Sequence, residues 1–143
     1  ALKPGEHSQL GALTITATAG APVPQVENGY LLQHPAGSLY LEPHGFLPDA
    51  LPPQPLDAVI TPVVDLGLPL AGAFVRGQQV LPQLLERFSP RTVLASTAGG
   101  DVRFSGVLTR ALWQKGSAAD AAATLPESSR LIDPEVGHRY CLA

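Results

Sequence analysis

Pro35-Ala36-Gly37 separates two short apolar runs, Gly29-Tyr30-Leu31-Leu32 and Ser38-Leu39-Tyr40-Leu41, and this constrains the fold more than any other stretch. Runs of that length and alternation read as strands, and a compact Pro/Gly turn closes them into an antiparallel β-hairpin. The second run leads straight into Glu42-Pro43-His44-Gly45, where an acid and an imidazole stand two residues apart on a loop stiffened by proline and bent by glycine. A loop held at the end of a strand is where a scaffold commonly presents its chemistry. The rest of the chain has to accommodate a sheet with this hairpin in it.

The other segments agree. With 14 glycines and 15 prolines in 143 residues, and no repeat period, the chain calls for many turns and shaped loops rather than a helical bundle. Residues 10–19 (LGALTITATA) alternate at Leu13, Ile15 and Ala17 and predict a half-buried strand. Residues 46–51 have room for one helical turn before Pro52-Pro53-Gln54-Pro55 forces extended backbone. Residues 57–61 (DAVIT) and 92–96 (TVLAS) are short continuous apolar runs, the mark of strands buried on both faces. Residues 63–75 (VVDLGLPLAGAFV) fit neither period and read as a long apolar loop, a pocket wall or a partner contact.

Val80, Leu81, Leu84, Leu85 and Phe88 form one helical stripe. Pro82 suits only a first turn, so that helix is expected to start near residues 79–81. A second helix is predicted over 104–115, and a third over 118–124 with Ser117 as its cap and Asp120 in its first turn. Residues 130–133 and 138–142 read as a terminal hairpin. The order βββ, β–α–β–α–α, ββ predicts an α/β (α+β) domain, a mixed β-sheet with helices on one face.

Charged residues are only 15% of the chain and the net charge is −3, which offers no basic stripe for nucleic acid. No run of about 18 apolar residues predicts a membrane span, and no leader is evident. The single cysteine, Cys141, cannot make an internal disulfide and points to a reducing, cytoplasmic compartment. Residue 1 is alanine and methionine is absent. We therefore expect a piece of a longer or processed protein, the alternative being a complete small protein trimmed of its initiator.

The blocks VENGYLL (26–32), LYLEPHGF (39–46), DAVITPVVDLGLPLAG (57–72) and ASTAGGDVRFSGVL (95–108) resemble the metallo-β-lactamase fold superfamily. Within it they resemble a divergent hydrolase-like branch of cyanobacteria and plastids, which would make the plastid stroma a second possible location. The resemblance covers most of residues 11–116. It implies an αββα sandwich of two similar halves, with 1–143 forming a single unit that is the C-terminal half. It also implies zinc or another divalent metal, a small-molecule substrate such as an ester, lactone or phosphodiester, and the N-terminal half or a second copy as partner.

In that family three loops of this half complete the metal site, and this sequence departs from the pattern at each. Ala19-Gly20-Ala21-Pro22 stands where a histidine is expected, Glu42-Pro43-His44-Gly45 where a Gly-Asp pair is expected, and Ser96-Thr97-Ala98-Gly99-Gly100-Asp101 where a last histidine is expected. His44 is the leading candidate, as metal ligand or general base, with Glu42 as second ligand or orienter; the plain alternative is a histidine that caps its own turn. Asp101 is a candidate ligand or the cap of a following helix. Asp65, a carboxylate in an apolar stretch, is a candidate ligand or needs another partner. His7, His34 and His138 are expected in solvent, and Cys141 as a small buried hydrophobe. The missing ligands support a second reading, a metal-free binding or assembly module on the same fold.

Overall fold

The computed structural model describes residues 1–22, 27–96, 105–106 and 111–142. Its elements in chain order are β1 (His7–Leu10), β2 (Leu13–Thr18), β3 (Gly29–His34), β4 (Gly37–Leu41), β5 (Ala58–Pro62), β6 (Asp65–Leu68), β7 (Gly72–Arg76), α1 (Gly77–Phe88), β8 (Thr92–Ser96), β9 (Trp113–Lys115), α2 (Ala118–Thr124) and β10 (Arg130–Ile132). Among the described residues the strands form a seven-stranded sheet, ordered β1-β2-β3-β4-β5-β8-β10, and a three-stranded sheet, ordered β7-β6-β9.

The β3–β4 hairpin holds as read, with Tyr30 opposite Leu41 and His34 opposite Gly37. β2–β3 and β3–β4 pair antiparallel, while β4–β5, β5–β8 and β8–β10 pair parallel. β2 therefore points the same way as β4, β5 and β8, and the loops leaving all four depart from one edge. That shared edge is the rim on which a site can be built.

Side chains alternate across the sheet, and register fixes which face each one takes. Leu31, Tyr40, Val59, Val93 and Ala95 share one face and are buried against Val80, Leu81, Leu84 and Phe88 of α1 and Ala121 of α2. Both helices lie on this face, as the element order predicts. The opposite face carries Ile15, Leu32, Leu39, Ile60, Leu94 and Ile132, all half-buried.

Several expectations are corrected. Residues 63–75 are largely a hairpin, β6–β7, and not a loop. A register shift between Leu66 and Gly67 breaks the two-residue period, and Gly67 lies so close to Trp113 that a Cβ there would come 2.3 Å from the ring. Helix α1 begins at Gly77, which makes Pro82 its sixth residue and leaves that ring exposed. The early start is held from outside the helix, because Asp65 Oδ1 accepts the Gln78 N–H at 3.0 Å.

Residues 46–51 form no helix, although one bond from the Leu51 N–H to the Pro48 carbonyl (3.2 Å) closes a single turn there. Arg87 Nη1 instead donates to the carbonyls of Pro48 (3.1 Å) and Leu51 (2.9 Å), fixing the segment as a shaped loop. The predicted helix over 104–115 ends as a strand, since Trp113–Lys115 pair with β6; residues 104 and 107–110 lie outside the described residues. The terminal hairpin is also absent, because β10 joins β8 in parallel and its Arg130 Nη2 donates to the Cys141 carbonyl at 2.6 Å. Cys141 is exposed rather than buried. Helix α2 matches its reading, with the Asp120 N–H donating to Ser117 Oγ at 3.1 Å.

Candidate functional site

The loop after β4 is shaped by its own acid. Glu42 is fully buried, and its carboxylate accepts the backbone N–H of His44 and of Gly45, each at 2.6 Å. Burial pushes the Glu42 carboxyl above its ordinary value, against the opposing pull of the His44, Phe46 and Gly45 backbone N–H groups and of nearby His44. Tyr40, two residues earlier on the same face, is pushed up to about 12 by burial, against the opposing effect of its hydrogen bond with Thr18 and with the Glu42 charge adding to the rise.

Gly45 has φ +70°, and a Cβ there would meet the Arg76 carbonyl carbon at 2.5 Å. Only glycine lets the loop close this tightly on the end of β7. The Arg76 N–H donates to the His44 carbonyl at 3.0 Å and ties the two segments together.

His44 thus stands on a backbone fixed from both sides. Its Nδ1 lies 3.4 Å from Glu27 Oε2, but the alignment is too poor for a hydrogen bond, and Nδ1 is buried without a hydrogen-bond partner among the described residues. Two more buried side-chain oxygens share that condition: Thr61 Oγ1 near the end of β5 and Ser96 Oγ at the end of β8. Buried polar atoms are nearly always hydrogen-bonded, so each orphan asks for an explanation. Here the three fall near the exit edge of the adjacent parallel strands β4, β5 and β8 but not on one face, since Thr61 shares the helix face with Val59 and Ala95 and Ser96 shares the open face with Leu94.

The sequence-derived candidates therefore separate. His44 sits at the rim and keeps part of its ring exposed. Glu42 sits beneath it with its carboxylate turned into the loop. Asp65 is 2% exposed, and its two oxygens accept the Gln78 N–H and the Gln79 side-chain amide (3.2 Å), which places it as the cap of α1. Asp101 lies outside the described residues.

Sequence reasoning missed Glu27, Thr61 and Ser96. Glu27 had a signal, the acid opening the ENGY block, whereas the two hydroxyls had none, because an orphaned oxygen is a matter of distances. His34 and His138 are exposed as expected and bond locally, to the Ala36 N–H (3.0 Å) and Glu135 (3.2 Å). His7 is exposed too, on β1 rather than in a turn.

A divalent ion needs three or four ligands around one point. Among the described residues no three His, Cys, Asp or Glu side chains cluster in that way. Among the described residues, Glu27 is the one carboxylate within ion-pair distance of the His44 imidazole, and these residues by themselves do not fit a metal centre. Among the described residues, too, no helix is long and apolar enough to cross a membrane.

No family model matches this sequence, and no curated protein matches it. Solved structures that are similar in fold include the following two. One is a mutant of the CmlA beta-hydroxylase, with a TM-score of 0.50 and 12% identity over 64% of this chain and 24% of that one. The other is a protein from Parabacteroides distasonis named, provisionally, as a metal-dependent hydrolase, with a TM-score of 0.48 and 17% identity over 66% of this chain and 44% of that one. The chain spans less than half of either. The likeness to the first, at 12% identity, speaks for the fold of these elements alone.

Proposed function

We propose that this chain is the C-terminal half of a metallo-β-lactamase-like hydrolase, whose reaction takes place at the rim formed by the exits of β2, β4, β5 and β8. The observation that carries the reading is that the exits of β2, β4, β5 and β8 share one edge, with the buried, partnerless Nδ1 of His44 standing on the loop after β4. In open sheets with parallel strands, ligands bind at the carboxyl ends of the strands. The half-buried apolar face of the sheet supports the rest of the reading, since a second half packed there would cover it and bring further ligands to the same rim.

In this proposal His44 is the side chain that meets metal or substrate, as ligand or as proton acceptor. Glu42 is a positioning residue that holds the His44 backbone through two short N–H bonds. Glu27 is the carboxylate beside the imidazole, Asp65 acts through α1, and Asp101 remains a candidate ligand. A bound zinc or other divalent ion would supply an activated water for an ester, lactone or phosphodiester.

The test is metal content of the purified full-length protein, measured with hydrolysis of a panel of those three substrate classes. About one equivalent of metal or more, lost together with activity in His44→Ala, is the expected result. Less than about a tenth of an equivalent, with activity indifferent to His44→Ala, overturns the reading. It would then leave a metal-free binding or assembly module on the same fold, which the inward turn of the Glu42 carboxylate and the open apolar sheet face favour.

A further inference from the structure

A cavity of about 410 Å³ lies on the helix side of the rim, between the loops after β2 and β4 and the elements β7 and α1. Its size falls within the range of small-molecule sites. Most of its wall is apolar, from Phe46 and Leu47 on one side to Phe74 and Val80 on the other, and the polar side chains of the lining are His44, Arg76 and Gln83. Among the described residues no carboxylate lines it. The cavity between α1 and α2, by contrast, is lined by both Asp65 and Asp120.

Arg76 gives the cavity its sign. It stands directly across the β6–β7 ladder from Asp65, yet the Asp65 carboxylate is taken by Gln78 and Gln79 and makes no ion pair with it. Among the described residues no carboxylate lies within ion-pair distance of the Arg76 guanidinium. Its main chain is meanwhile held by the bond to the His44 carbonyl. A guanidinium on a fixed backbone, uncompensated and beside an apolar wall, suits a planar anion that it can bind through two parallel N–H bonds.

We propose that this cavity binds an organic carboxylate with an aryl or alkyl body, the carboxylate on Arg76 with Gln83 beside it and the body against Phe46, Leu47, Phe74 and Val80. A single guanidinium matches one negative charge, which favours a carboxylate over a phosphate dianion. The site depends on the cavity alone and stands whether or not the rim hydrolyses anything.

The test is a titration with phenylbutyrate in the presence of EDTA, followed by amide chemical shifts and calorimetry. The expected result is binding, with shifts at residues 44–47, 73–76, 80 and 83. Arg76→Gln should weaken it by about tenfold or more, the loss of one charged hydrogen-bonding partner. Gln83→Glu, an exposed position where the exchange leaves the fold intact, should also weaken it by placing a like charge at the anion. Lys115→Gln, in the other cavity, should change nothing. Equal affinity for the neutral amide phenylbutyramide, unaltered binding by both Arg76→Gln and Gln83→Glu, or no binding at millimolar phenylbutyrate overturns the proposal. Tighter binding of phenylpropyl phosphate than of phenylbutyrate overturns the choice of carboxylate.

Discussion

The two faces of the seven-stranded sheet are built from the same kinds of residue and have different fates. On the helix side Tyr40, Val59, Leu84, Phe88 and Val93 have no measurable exposure, and the Tyr40 and Phe88 rings meet at 5.3 Å. On the other side Ile15, Leu32, Leu39, Ile60 and Leu94 are only half-buried, and Leu142 of the tail reaches the patch around Leu13, Leu32 and Leu39. Hydrophobicity is equal on the two faces, so composition does not say which is the core. What separates them is which face the crossover connections take, because parallel strands force helices across the sheet and handedness sends them to one side.

Substitutions can break that contrast. The largest effect is expected for Leu84→Ala, a cavity under the sheet costing about 3 kcal/mol, read as a fall in the urea midpoint. Glu42→Ala should follow at about 2 kcal/mol, because it strands buried backbone N–H groups that have no other acceptor. Leu94→Ala on the open face should cost about 1 kcal/mol or less, since part of the side chain already meets water. If Leu94→Ala matches Leu84→Ala, the open face is covered in solution and the contrast fails. If its cost rises when an upstream half is present, the contrast becomes the map of an interface.

The smallest effect is in the pH profile. The folded Glu42 carboxyl sits above its ordinary value of 4.5, so the folded chain holds that proton more tightly than the unfolded chain. Its contribution is full below 4.5 and is lost as pH rises through the folded value. The midpoint difference between wild type and Glu42→Gln should therefore shift over this window and level off above it. A difference independent of pH would mean that the backbone N–H groups balance burial, and one of opposite slope that they outweigh it.

Much of the fold was legible in the sequence because its signals are local. The β3–β4 turn, the apolar stripe of α1, the Ser117 cap and the buried runs of β5 and β8 all depend on neighbours within a few positions. The β6–β7 hairpin was illegible because a bulge at Leu66/Gly67 erases alternation and the glycine answers to Trp113, far along the chain. β9 and the parallel partner of β10 were missed for the same reason, as pairing with a distant strand leaves no periodic trace. In the candidate site His44 could be picked out by residue type, and Glu27 by its place at the head of the ENGY block. Thr61, Ser96 and Arg76 could not, since their interest lies in what stands near them or fails to.

The parallel pairing of β10 with β8 also bears on how the chain reaches its native state. Arg130 bonds the Thr92 hydroxyl 38 positions back, and β5 must find β8 across an intervening hairpin and helix. Closing such wide loops comes before any reward from the contacts they make, so the sheet is expected to assemble late and slowly, in milliseconds to seconds rather than microseconds. During that delay the edge of β8 would stand bare, open to pairing with another strand before β10 covers it.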